Sequence, residues 1–229
     1  MKKLKTVLFA VCTALSAAVV QAEAVEGKDY IVRSNVIEAV QPDKIEVVEF
    51  FGYFCPHCQR LDPIILRHVR TLPADTVYRT EHVVWQPQHL PFARLLAAVN
   101  QAGVKRQANP AIFQAVINEG KNLGDEATFR AWAQQQAFGS KLLAAYDDPK
   151  SSAAAHNMQQ LTERYQIQST PQVIVGGKYE LTFANGFEAG MKTLDELVAK
   201  VRTERGMPAA APKAVLPSRG GSFARQANQ

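Results

Sequence analysis

Cysteine is scarce in this chain, three in 229 residues, and their placement excludes more than their number. Cys12 lies in an almost uncharged apolar run, Thr6 to Val20, that follows Met1-Lys2-Lys3-Leu4-Lys5 and leads to small residues at Ala22 and Ala24. That layout is a secretory leader, assigned to residues 1–22, with cleavage after Ala22 or Ala24. The apolar run is about fifteen residues, short of the roughly 20 a membrane span needs. Cys12 therefore leaves with the leader, leaving Cys55 and Cys58, which either pair with each other or stay free. Exported proteins in oxidising compartments use disulfides as staples, but a two-residue loop restrains an unfolded chain little. A disulfide framework is excluded, and the pair is expected to react rather than to hold the fold.

Charge is also in short supply. The formal net charge of +5 falls to +2 once Lys2, Lys3 and Lys5 leave with no acid among them. No Lys/Arg stripe supports a nucleic-acid partner, and no repeat period is evident. A structural zinc site needs four ligands, and His57, His68, His82, His89 and His156 show no second paired spacing beside the two cysteines. A c-type haem needs histidine directly after the second cysteine, where this chain has Gln59.

The rest of the sequence reads as an α/β sheet interrupted by helices. Lys28 to Val32 is a short strand candidate, and Ile45 to Phe51 is a near-continuous apolar run suited to a strand buried on both faces. A helix follows, with Pro56 in its first turn. Pro63 inside it predicts a kink or a new start near Asp62. Thr76 to Trp85 reads as a third strand. From Pro87 to about Gln166 only amphipathic helices appear, with starts expected at Asn109-Pro110 and at Asp125. Their aromatic and methionine positions, such as Phe129, Trp132 and Met158, read as core rather than as a cofactor cavity. Gln172 to Val175, the Gly176-Gly177 turn and Tyr179 to Phe183 form an antiparallel hairpin. A last helix is expected from Thr193, with Glu196 completing a capping box, to about Arg205-Gly206. The division expected is 23–86 for the first part of the sheet domain, 87–154 for a helical insertion, 155–205 for the second part and 206–229 for a disordered tail.

Glu49-Phe50-Phe51-Gly52-Tyr53-Phe54-Cys55-Pro56-His57-Cys58 joins the buried strand to the helix. It places Cys55 at the helix N-terminus and Cys58 one turn inside, so unpaired N–H groups and the positive helix end favour the Cys55 thiolate. Lowering a thiol from about 8.5 to about 5 takes roughly 4.8 kcal/mol of preferential stabilisation. The dipole supplies about 0.3 to 2 kcal/mol, so N–H hydrogen bonds and His57 are expected to supply the rest. A stabilised thiolate stabilises the reduced protein, which makes the disulfide an oxidant. Glu49 has two readings: a buried carboxyl with a raised pKa that exchanges a proton with Cys58, or an acid facing solvent from a strand end.

The run Val47 to Cys58 resembles the active-site segment of the DsbA family, periplasmic thiol:disulfide interchange proteins of Gram-negative bacteria, and the element order is similar to about Arg205. The resemblance implies a thioredoxin-like fold with an inserted all-helical domain. It further implies Cys55 as exposed nucleophile, Cys58 as buried resolving thiol, Pro56 and His57 as tuning residues and Glu49 as the buried acid. Thr170-Pro171 matches the family's cis-proline loop, which docks substrate backbone; from the sequence alone it is only a strand-entry turn. The partners implied are folding secreted proteins and a membrane reoxidase of DsbB type coupled to quinone, with no cofactor beyond the cysteine pair. Thr170 where some members carry Val, Pro63 and the tail depart from the family pattern. The expectation is a monomeric, periplasmic dithiol oxidase. A disulfide isomerase or reductase is the alternative enzyme, and a peptide-binding chaperone the alternative of another class.

Overall fold

The computed structural model describes residues 23–210. The expected leader 1–22 and residues 211–229 of the expected tail lie outside the described residues. Five strands, β1 (Tyr30–Val32), β2 (Ile45–Phe51), β3 (Thr76–His82), β4 (Gln172–Val175) and β5 (Tyr179–Leu181), form one mixed sheet in the order β1-β5-β4-β2-β3. β2 runs parallel to β3 and antiparallel to β4. With a neighbour on each side and cores on both faces, β2 tolerates no exposed position, and all seven of its residues are buried.

Alternation along β2 sends Ile45 and Val47 to a core with Leu61 and Ile65 of α1 (Pro56–His68) and Leu194, Leu197 and Val201 of α7 (Phe187–Glu204). Val48 and Phe50 point to the opposite face, against Tyr165, Ile167 and Ile174. Between β3 and β4 lie α2 (Leu90–Ala102), α3 (Lys105–Phe113), a π-helical turn (Gln114–Asn118), α4 (Glu126–Gln134), α5 (Gly139–Asp147) and α6 (Pro149–Arg164). Their apolar faces bury one another: Leu95, Leu96, Ile112, Phe129, Trp132, Leu142 and Met158 belong to a core that continues into Phe51, Tyr53, Cys55 and Cys58. The dithiol thus sits in the seam between helical block and sheet.

Several helix boundaries differ from expectation. α1 runs through Pro63 without a break; the ring is exposed, and the apolar face of Leu61 and Ile65 holds the helix on the sheet. α3 starts at Lys105, so Asn109 and Pro110 lie in its interior, and Asn109 is buried with its side chain bonded elsewhere instead of capping. Asp125 does cap α4, accepting the Thr128 N–H at 2.8 Å. α7 starts at Phe187 rather than Thr193; Thr193 is buried within it, its hydroxyl directed at the Ala189 carbonyl, and Glu196 accepts the Ala24 N–H at 2.5 Å. α6 is a single helix capped by Asp148, so the expected division between 154 and 155 falls inside it. The first residues of the expected tail are docked: Met207 packs on the sheet core and the Pro208 carbonyl accepts from Arg202 at 3.2 Å. Among the described residues, no helix is long and apolar enough to cross a membrane.

Candidate active site

β2 ends at Phe51, and the chain turns through Gly52, Tyr53 and Phe54 before α1 begins. The Cys55 N–H returns to the Gly52 carbonyl at 2.9 Å. Gly52 lets the Phe54 ring fold back on the turn, since a Cβ there would lie 2.7 Å from that ring and push it aside. The Tyr53 N–H donates to His82 Nε2 at 3.0 Å, and His82 Nδ1 donates to the Val83 carbonyl at 2.8 Å, which fixes the tautomer. Burial pushes the His82 imidazole down to about 3, so it stays neutral as this acceptor.

Cys55 is the N-cap of α1. Its backbone is extended, and its sulfur accepts the Cys58 N–H at 3.3 Å. The hydrogen bond from the Cys58 thiol, followed by bonds from Thr170 and from the backbone N–H groups of Cys58 and His57, holds Cys55 at about 5 against desolvation. Burial, followed by the hydrogen bond and charge of Cys55, pushes the Cys58 thiol far above the ordinary range. The pair is therefore polarised: a stable anion at one sulfur and a protonated thiol at the other.

Cys55 is only 7 % exposed and Cys58 is fully buried, so the expected exposed nucleophile is instead largely covered. The cover includes Thr170, whose carbonyl oxygen lies 3.5 Å from Cys55 Sγ, and the Thr170–Pro171 peptide bond is cis. Pro56 opens the helix and is exposed. His57 is exposed as well, and its ring Nδ1 accepts from Arg60 at 2.8 Å; the backbone N–H, not the imidazole, is what it gives the Cys55 sulfur. Beside the pair, the Phe54 ring stacks on His89 at 4.4 Å and lies 6.0 Å from Trp85, which is 40 % exposed.

Glu49 lies inside, 2 % exposed, and accepts a hydrogen bond from the Tyr78 hydroxyl. Burial raises its carboxyl to about 7; the Tyr78 hydrogen bond and Lys105 oppose the shift, while the charge of Asp62 adds to it. Asp62, on the same face of α1 four residues after Cys58, is also buried and pushed up to about 6. Lys105, buried enough to be pushed down, donates to Thr80 Oγ1 at 2.7 Å. Asn109 donates to Asp62 at 2.6 Å and accepts from the Tyr53 hydroxyl at 2.9 Å.

The structure brings Cys55, Cys58, Pro56, His57, Thr170 and Pro171 to one end of the sheet, with Glu49 behind them. Asp62, Tyr78, His82, Lys105 and Asn109 were not singled out from the sequence as site residues. Asp62 carried a signal, a lone acid on the apolar face of α1. Lys105 and Asn109 carried none, because their partners lie far away in the chain. Among the described residues, no group of three or more His, Cys, Asp or Glu side chains is placed to hold a metal ion.

The chain is similar to known proteins. Residues 78–201 match the model of the DSBA-like thioredoxin domain, more than half of the chain. The chain belongs to the DsbA family. A thiol:disulfide interchange protein DsbA of Burkholderia cepacia is 30% identical over 213 residues, 90% of this chain and 100% of that DsbA. Among solved DsbA structures, the oxidoreductase NmDsbA1 from N. meningitidis superposes with a TM-score of 0.78 at 46% identity, covering 81% of this chain and 100% of that one. The oxidoreductase NmDsbA3 from Neisseria meningitidis gives 0.74 at 53% identity, covering 80% and 100%. The fold is thus the thioredoxin-like DsbA fold with its helical insertion.

Proposed function

We propose that this DsbA-family thiol:disulfide oxidoreductase donates the Cys55–Cys58 disulfide to newly exported proteins in the periplasm. The observation that carries the reading is the placement of the pair: the Cys55 sulfur caps α1 and accepts the Cys58 N–H at 3.3 Å, which favours its thiolate, while Cys58 is fully buried, which keeps its thiol protonated.

A substrate thiolate attacks Cys55 Sγ. The Cys55–Cys58 bond breaks, a mixed disulfide forms at Cys55, and the electron pair leaves on Cys58 Sγ. Cys58 holds charge poorly, so it takes a proton, supplied through water by the neutral form of Glu49. The substrate's second thiolate then attacks its own sulfur in the mixed disulfide, and Cys55 leaves as the thiolate that the helix N-terminus stabilises. The substrate has lost two electrons and the protein has gained them. When Cys58 attacks a mixed disulfide in the reverse direction, Glu49 takes the proton back. Thr170 and Pro171, against Cys55, dock the substrate backbone, and Pro56 and His57 tune the pair through helix geometry and the His57 N–H. Reoxidation falls to a membrane partner of DsbB type that passes electrons to quinone. The pair itself is the redox group. In this reading residues 1–22 are the export leader, the monomer is the working unit, and the helical block is the insertion of the thioredoxin-like domain.

A redox titration against glutathione tests the direction. An equilibrium strongly favouring the dithiol supports a disulfide donor, whereas a thioredoxin-like value makes the protein a reductant. Cys55→Ser separates enzyme from chaperone: loss of all activity supports the oxidase, and retained suppression of aggregation supports a holdase.

A further inference from the structure

The Asn109-Pro110 pair has the composition of a helix start and lies instead inside α3. That position is locally unfavourable twice over. Pro110 has no N–H for the preceding turn, and the residue before a proline is pushed away from helical backbone. Asn109 is 2 % exposed, so its amide needs partners from other elements. It has two. The Tyr53 hydroxyl donates to Oδ1 at 2.9 Å, and Nδ2 donates to Asp62 Oδ1 at 2.6 Å. Tyr53 lies two residues before Cys55, and Asp62 four after Cys58. All three side chains are buried.

We propose that Asn109 is a positioning residue for the dithiol: from the helical block it ties the turn before Cys55 to the helix after Cys58 and holds Asp62 as a carboxylate beside Glu49. The donor order makes this directional. Burial keeps the Tyr53 hydroxyl protonated, so it acts as donor and takes the amide oxygen. The NH₂ group is left facing Asp62, where a carboxylate oxygen accepts it and a protonated oxygen accepts it less well. The Asn109 bond is the largest influence opposing the burial of Asp62, with Lys105 second. Asp62 charge in turn raises Glu49. The groups meeting here are Glu49 from β2, Tyr78 from β3, Cys58 and Asp62 from α1, Tyr53 from the turn, and Lys105 with Asn109 from α3. Asn109 thereby sets how the buried acids share a proton, and through them the pH at which Cys58 exchanges its own.

This rests on Glu49 being the proton partner of Cys58, and the test separates the two ideas. The full exported protein is prepared with a small thiol disulfide-bonded at Cys55, and the rate of Cys58 attack is followed against pH. Carbon-detected NMR follows the Asp62 carboxyl in the same samples. In Asn109→Leu, which keeps the branched shape and removes the amide, the Asp62 midpoint rises by about one pH unit, as loss of a buried charge-assisted hydrogen bond implies. The midpoint of the rate profile falls at the same time, because a less charged Asp62 raises Glu49 less. Paired substitution Asn109→Asp with Asp62→Asn rebuilds the hydrogen bonds in reverse and carries the charge from α1 to α3. It restores the melting temperature that Asn109→Leu lowers, without restoring the wild-type rate profile. A lower melting temperature in Asn109→Leu with both midpoints unmoved overturns the proposal and leaves Asn109 a packing residue. A wild-type profile in the paired variant also overturns it, and decides the matter should Asn109→Leu fail to fold. Glu49→Gln guards the premise: an unchanged profile there refutes the Glu49 role itself, whereas an altered profile there beside an unmoved one in Asn109→Leu refutes only the present inference.

Discussion

At Cys55 and Cys58, three positions apart in one helix turn, the same side chain has opposite acidities. Cys55 lies where N–H groups end without helical partners, and they meet its sulfur. Cys58 faces a packed interior that leaves an anion unsolvated. Glu49 is the mirror case among acids, since burial raises its carboxyl from 4.5 to about 7. A folded value above the unfolded one means stability that is complete below about 4.5 and lost as pH rises through about 7. Glu49→Gln is therefore expected to unfold at higher temperature than the wild type above neutral pH. The two should converge near the unfolded carboxyl value, as thermal melts across pH would read. Equal shifts at all pH values would mean that the Glu49 charge costs nothing. The same substitution should flatten the pH dependence of thiol-disulfide exchange.

Elements were legible wherever one local signal decided them. The β2 run, the Gly176-Gly177 hairpin and the Asp125 cap follow from apolar runs, turn chemistry and capping. Helix starts failed where a residue that caps well is used in the interior, as with Asn109 and Thr193, because burial and distant partners outweigh local preference. Pro63 shows the same priority: the helix continues through it because its apolar face is held. Its ring still removes an N–H that the Gln59 carbonyl lacks. Pro63→Ala at this exposed site should thus raise stability by about 1–2 kcal/mol, read from a denaturant midpoint. At the hairpin, Gly177 has φ +76°, and any Cβ would collide with the Ile37 carbonyl, while the Ile37 N–H binds the Gly177 carbonyl at 2.8 Å. Gly177→Ala should cost at least about 1–3 kcal/mol. Gly27→Ala, at a similar φ of +80° in open space, should cost less.

At the scale of the molecule, the sequence disclosed the dithiol and its direction, while the polar network behind it was hidden. Cys55, Cys58, Pro56 and His57 are consecutive, and the Thr170-Pro171 loop announced itself only through family resemblance. The charges of Asp62 and Lys105 act on Glu49, and Asn109 reaches Asp62, because α3 packs against α1 and β3, a relation that no local pattern encodes. The network matters globally because proton and electron transfers are linked to folding. Cys55 is depressed from 9.0 to about 5 in the folded protein. The stability it gives the reduced form is complete above the unfolded value and is lost as pH falls to about 5. Near neutrality that is at most about 3 kcal/mol, or about 60 mV for two electrons. Calorimetry should find the reduced protein melting above the oxidised one near neutral pH, with the gap narrowing toward pH 5. A gap independent of pH would place the oxidising power elsewhere than in the thiolate.

The most direct measurement is the ultraviolet absorbance of the Cys55 thiolate in the reduced protein, titrated from neutral pH downward with the oxidised protein as blank. A single thiolate already present at neutrality and lost near pH 5 is the result expected from the N–H groups around that sulfur. A thiolate that forms only on the alkaline side, near the 9.0 of an ordinary thiol, would contradict the account.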